Sequence, residues 1–243
     1  MLRDTNLIRI ILFIALGCAA TEEFHAQFVV ERSPWLDGAS ITEDPVEQTW
    51  TVADHSTNAL LRVELTVEGI NPRKPIKLQV NKDTLLRLEP YRRYSRICVE
   101  PTYMLFADFI FADPTVAHDT VQLQPLEVGL ETSLPAIEFM PGTQDLYFTS
   151  VPALEALLEF IHVNPTLALA IIGYEGTDQS LKASERFSRD RARAVFEYLV
   201  SSGVASRRLT VEARELNALL YPSPKTPEEV DANRRISIRV TNY

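Results

Sequence analysis

The stretch from Ile171 to Ser202, IIGYEGTDQSLKASERFSRDRARAVFEYLVSS, constrains the fold more than any other part of the chain. An apolar run ends at Gly173, a polar loop follows, and a long segment then repeats with helical spacing. Phe187, Arg191, Ala194, Val195, Tyr198 and Leu199 fall on one stripe, as expected for the inward side of an amphipathic helix. Arg186, Arg189, Asp190, Arg193 and Glu197 fall off it. Arg191 is the odd member, a permanent cation in line with Phe187 and Val195. A guanidinium on the inward side needs a partner, because an unpaired buried charge is costly. Two kinds of partner fit: an internal acid such as Glu175, Asp178 or a later carboxylate, or a carboxylate-bearing ligand where the loop meets the helix.

The flanking sequence extends the same α/β order. IEF at 137–139 predicts a short strand, and Ser150 is placed to cap a helix whose Pro152 is tolerated in the first turn. Leu154, Leu157, Leu158 and Ile161 form its buried stripe, and Asn164-Pro165 stops it. His162 stands at the helix end, where an imidazole suits a C-terminal cap better than a general base. Leu167 to Ile172 is almost wholly apolar, as in a central strand covered on both faces. The long helix ends near Gly203, strands follow at 209–211 and 236–240, and Pro222, Pro224 and Pro227 mark a loop with a helical turn at PEEVDAN.

GYEG…SERFSRDRARAVFEYLVSSGV…RRLTVEA…NRRISIRV resembles the OmpA-like C-terminal domain of Gram-negative envelope proteins. That family's signature is a strand ending in Gly-His-Thr-Asp, then Asn-x-x-Leu-Ser-x-x-Arg-Ala opening a helix, then Asn-Arg-Arg-Val in the last strand. This chain keeps Gly173, Ser188, Arg191-Ala192, Asn233, Arg234 and Arg235, over about residues 128–240. The resemblance implies a site for the diamino acid of the peptidoglycan stem peptide, with an aspartate taking the ammonium and an arginine the carboxylate. A zwitterionic group needs one charge of each sign, and arginine can bind a carboxylate through two parallel hydrogen bonds. The arginine carries over to Arg191, and the interval from Tyr174 to Phe187 keeps the family's ungapped spacing. Gly176 then stands where the binding aspartate belongs, Tyr174 replaces the histidine, Glu175 the threonine and Ser184 the asparagine. Glu175 and Asp178 flank the gap, and Gly176 makes the backbone there permissive. AREL (213–216) stands where a Gly-Tyr-Gly-Glu turn is usual, and Glu229-Val230 where a Gly-Arg pair is usual. Asn233 and Arg235 are read as structural, with Arg235 holding the last strand to the domain.

The first half of the chain has a different rhythm. Residues 27–58 carry prolines, two tryptophans and scattered acids without a clean period, and read as a loop-rich lead-in with one or two short strands. From Leu61 the pattern alternates, through Leu61, Val63, Leu65 and Val67, then Ile76, Leu78 and Val80. Further short strand segments broken at Pro90 and Pro101 complete a small β-sandwich over 59–127. The pattern of Pro75, Tyr94 and Tyr103 with Phe111 more weakly resembles carboxypeptidase-regulatory-like modules, which are mostly structural or adhesive. Arg87, Arg92, Arg93 and Arg96 read as a solvated strand face ahead of a contact patch.

At the start, Arg3 and Arg9 flank an apolar run from Ile10 to Ala20, short for a membrane span and suited to a secretory signal within residues 1–26. Cleavage after Ala20, Ala26 or Gln27, lipidation at Cys18 within Ala15-Leu16-Gly17-Cys18, and an uncleaved anchor all remain open. Cys98 is then a lone thiol and a small buried hydrophobe.

The whole reads as an α+β protein: a small β-sandwich followed by an OmpA-like domain (128–243) with a mixed βαβαβ sheet and helices on one face. The expected role is that of an exported, non-enzymatic protein of the Gram-negative periplasm or outer membrane, binding peptidoglycan and anchoring or scaffolding the envelope. The alternative is a degenerate OmpA-like domain that serves as a structural or protein-interaction module for other envelope proteins. A net charge of −9 argues against nucleic-acid partners, which require a basic face. Neither a cofactor nor a metal is expected from two cysteines and four scattered histidines.

Overall fold

A computed structural model describes residues 28–29, 44–69, 75–80, 84–140, 142–174, 181–214 and 219–243. Its first half holds β1 (Phe28–Val29), β2 (Val46–Asp54), β3 (Val63–Glu68), β4 (Ile76–Val80), β5 (Thr84–Leu88), β6 (Arg93–Cys98), β7 (Phe106–Phe111) and β8 (His118–Leu123). The second half holds β9 (Glu131–Ser133), β10 (Leu146–Tyr147), α1 (Val151–Val163), β11 (Ala168–Gly173), α2 (Leu181–Ser201), β12 (Leu209–Ala213), α3 (Pro227–Asn233) and β13 (Ile236–Asn242). The fold is mixed α+β.

The sandwich consists of a three-stranded sheet ordered β5-β2-β8 and a four-stranded sheet ordered β4-β3-β6-β7. Alternating residues of both sheets meet between them, with Trp50, Leu65, Leu88, Tyr94 and Leu123 buried there. Sequence periodicity missed β2. Residues 27–58 read as loop-rich, yet nine of them form the central strand of their sheet, so the sandwich begins at Val46 rather than 59. The cause is Gln48, which breaks the apolar alternation but is buried. Its amide donates to the Asp113 carbonyl at 3.1 Å and accepts the Trp50 indole N–H at 3.1 Å, which satisfies both polar groups inside the core.

The basic cluster also departs from expectation. Arg93 and Arg96 are buried, on opposite faces of β6. Arg96 leads into the sandwich, pairs with Asp108 at 2.6 Å and with Asp119, and lies 5.3 Å from the Trp50 ring centroid. Arg93 faces the C-terminal lobe, 3.9 Å from the Phe109 ring centroid and 2.6 Å from Glu138 in an ion pair without an aligned hydrogen bond. Arg87 and Arg92 do stay on the surface, paired with Glu47 and Glu89. Cys98 is buried, and burial pushes its thiol up to about 12. In a chain carrying Cys18→Ser, a thiolate-selective reagent at pH 8 should therefore leave Cys98 unlabelled in the native protein and label it on unfolding; labelling of native Cys98 at the rate of a free thiol would contradict this placement.

In the C-terminal lobe the sheet order is β12-β11-β13-β9, with β11 parallel to β12 and antiparallel to β13. Leu169, Ile171, Ile238 and Val240 face α1 and α2 in one core. Ala170, Ile172 and Tyr174 lie on the other side of β11 and are also buried. The short strand that pairs with β13 at one edge is β9, and the strand expected at 137–139 does not form. Pro135 ends extended pairing there, and Ile137 enters the core from a turn while Phe139 makes only an isolated bridge to Leu146. The end of α1 differs as well. Ser150 bonds both backbone groups of Glu138 instead of capping the helix. Arg208 takes the carbonyls of Ile161, Asn164 and Leu167, at 2.9, 2.7 and 2.8 Å, in place of a cap by His162.

The two lobes are fused. Leu126 N–H donates to Thr102 and Gly129 N–H to Val240, so the connection is bonded first to one lobe and then to the other. Ile97, Met104, Leu105 and Ala107 of the sandwich share one apolar core with Leu134, Leu154 and Leu157.

Candidate functional site

Gly173 sets the position of α2. A Cβ placed there would lie 1.8 Å from the Ser188 carbonyl oxygen and 2.7 Å from its carbon. The missing side chain lets the helix backbone rest directly on the end of β11. Ser188, Arg191, Ala192, Val195 and Leu199 form the buried side of α2, close to the stripe read from the sequence.

Arg191 is 1% exposed. Its Nε donates to the Thr143 carbonyl at 2.9 Å, and its guanidinium lies 5.4 Å from the Phe139 ring centroid. Both partners come from the segment before α1, far away in sequence. That segment folds back on itself: Met140 N–H donates to the Asp145 carbonyl at 2.9 Å, and Asp145 N–H donates to Thr143 Oγ1 at 3.1 Å. Gly142, at φ +72°, takes a left-handed conformation that favours glycine. A planar guanidinium held at Nε and set against an aromatic ring has a fixed orientation, the preorganisation that bidentate carboxylate recognition requires. Burial alone raises the Asp145 carboxyl above its ordinary value.

Glu175, Gly176, Asp178 and Cys18 lie outside the described residues, as does the side chain of Ser184 in the first turn of α2. Asn233 brackets Tyr221, donating to its carbonyl at 2.8 Å and accepting its N–H at 2.9 Å, and so ties the preceding loop to α3. Arg235 stacks 3.7 Å from the Tyr174 ring centroid, and the Tyr174 hydroxyl donates to Glu131. Tyr174 continues the side of β11 turned away from the helices, so this stack and Arg191 stand on opposite sides of the sheet. Sequence reasoning missed Phe139 and Thr143 as neighbours of Arg191, because no periodicity or motif marks an irregular turn.

Residues 138–234 match the model of the OmpA family. The OmpA-like segment contains Arg191, Thr143, Phe139 and Asp145, while the sandwich lies outside it. Among solved structures, the periplasmic domain of MotB is 16% identical at a TM-score of 0.42, over 49% of this chain and 66% of that one. The periplasmic domain of Helicobacter pylori MotB is 15% identical at 0.43, over 48% and 76%. The OmpA-like domain of FopA1 from Francisella tularensis is 12% identical at 0.38, over 79% and 92%. No curated protein sequence matches the chain.

Proposed function

We propose that the OmpA-like lobe binds peptidoglycan stem peptides non-covalently, with Arg191 taking the carboxylate of the diamino acid, and so anchors or scaffolds a Gram-negative envelope. The observation that carries this reading is the fixed guanidinium of Arg191 within the segment matched by the OmpA family model, held by the Thr143 carbonyl and the Phe139 ring. Glu175 and Asp178 are the acids that the adjoining loop offers for the ammonium. The apolar run Ile10–Ala20 supports export to the periplasm or outer membrane, with Cys18 as the lipidation site if the signal ends there. The sandwich serves as a spacer or adhesive element for other envelope proteins.

Co-sedimentation of the full mature chain with purified peptidoglycan sacculi tests the site. Wild type should bind saturably, and Arg191→Ala should weaken binding roughly tenfold or more, the scale of a lost charge-assisted hydrogen-bond pair. Arg191→Lys keeps the charge but loses the planar fork, and should bind in between if folding of Arg191→Ala is compromised. Unchanged sedimentation of both variants would refute this account of the site. A degenerate interaction module is the second reading, favoured by Gly176 at the position of the expected aspartate. It predicts no saturable binding by wild type.

A further inference from the structure

We propose that the cavity where the two lobes meet is a docking site for an extended, uncharged segment of a partner protein, which lies there as an added strand. The site shares no residue with the surroundings of Arg191 and does not rest on the peptidoglycan reading.

Three strand edges face one cavity of about 300 Å³, which Ala107 of β7, Gln122 of β8 and Ser133 of β9 all line. Each of these strands is the last of its own sheet. Successive residues of a strand turn their N–H and C=O alternately toward one neighbour and away from it. On β7, Ala112 N–H donates to the Arg92 carbonyl at 3.0 Å, so alternate residues from there bond to β6 and Ala107 points the other way. On β8, the Leu123 carbonyl accepts the His55 N–H at 2.9 Å, so Gln122 points away from β2. Beside β9, Leu130 and Leu134 bond to Val240 and Ile236, so Ser133 points away from β13. The backbones of Ala107, Gln122 and Ser133 thus stand at free edges around one space. Among the described residues they have no other hydrogen-bond partner. A free strand edge is what an added strand bonds to.

Gln124 is an independent sign of a ligand. It lines the same cavity, and its Oε1 is buried without a donor among the described residues. A buried acceptor left unpaired is destabilising, and an N–H from a bound segment relieves it. The charge balance of the lining decides what kind of segment fits. Asp108, its ionised group, is already held by Arg96 at 2.6 Å. The other polar groups are amides and hydroxyls, and Met104, Leu105, Leu123 and Pro135 supply apolar walls. Such a lining offers no counter-charge to an ammonium, a phosphate or a free carboxylate. It matches an amide backbone carrying apolar or hydroxyl side chains. The volume is at the lower end for ligand sites, which suits a short stretch of one extended chain.

Main-chain hydrogen bonds carry the affinity of an added strand, so a generic capped peptide serves as the probe. The test titrates the isotopically labelled full mature chain with N-acetyl-Val-Thr-Val-Thr-Val-amide and follows its amides by NMR. Saturable shifts should appear at Ala107, Gln122 and Ser133 and at the Gln124 carboxamide. Gln124→Leu keeps the side-chain bulk and removes the unpaired oxygen. It should melt at or above the wild-type temperature, while its affinity for the peptide falls about tenfold. Gln122→Pro removes an N–H that bonds to no strand of its sheet, and should weaken binding by a similar factor. The same peptide with glutamate in place of threonine should bind about tenfold more weakly or worse. Arg191→Lys should bind the peptide as wild type does, which separates this site from sacculus binding. Absence of saturable shifts at these amides would overturn the proposal. Equal affinity of wild type and both glutamine variants, or equal affinity for the glutamate peptide, would overturn it as well.

Discussion

Gly173→Ala should destabilise the C-terminal lobe by about 2–3 kcal/mol, the upper part of the range for overpacking. The new methyl would meet the Ser188 carbonyl at 1.8 Å, well inside contact distance. That carbonyl belongs to the backbone of α2, so no rotamer change can relieve the clash and the helix as a whole must move away from β11. Such a shift separates the buried side of α2 from Leu169 and Ile171. It also carries Arg191 away from Thr143, to which it is bonded at 2.9 Å. Stability and sacculus binding should fall together in this variant. Urea unfolding of wild type and Gly173→Ala gives the first quantity directly. A midpoint within error of wild type would show that α2 can lift off the strand without loss, contrary to the packing described.

The second large effect is expected at Arg96. Its guanidinium joins β6 to β7 through Asp108 and reaches across to β8 through Asp119, linking edge strands of two different sheets. Removing the cation in Arg96→Ala leaves two partly buried carboxylates without their partner. A broken buried pair typically costs about 3–5 kcal/mol, so the sandwich should lose about that much. The direction with pH follows from Asp108, whose carboxyl is already raised by burial and by Asp119, with Arg96 opposing. Without Arg96 it rises further above its unfolded value, so the folded variant binds protons that the unfolded chain does not. Its stability therefore falls as pH rises through the ordinary carboxylate range, and the deficit against wild type is largest near neutral pH and shrinks toward pH 4. Thermal melts across that range read the effect. A deficit independent of pH would mean that Arg96 contributes packing over Trp50 rather than charge. Arg96→Met combined with Asp108→Leu and Asp119→Val should restore most of the loss, since apolar replacement of a buried ionic cluster is often neutral or stabilising.

Much of the C-terminal lobe was legible because its signals are local. The apolar run of β11, the stripe of α2, the apolar spacing of α1 and the Pro-Glu-Glu turn that became α3 each reflect burial of one element on one side. Gly173 was legible through a motif, since a helix crossing a strand end at backbone contact admits no side chain. The sequence also singled out Arg191 as a cation on an inward stripe, and the structure leaves it fully buried. Its partners came only with tertiary structure. Thr143 lies 48 positions away in a turn without period, and a backbone carbonyl leaves no trace in side-chain identity. The same reason hid β2, where a buried Gln48 looks solvent-facing until Trp50 and Asp113 are seen to satisfy it. It hid the burial of Arg93 and Arg96, whose acids come from other strands and from the other lobe. It also hid Arg208, which closes a helix 44 residues before it. Periodicity records which side of an element is buried. Which polar group meets which depends on how the elements dock, and docking is set by the packing of the whole chain.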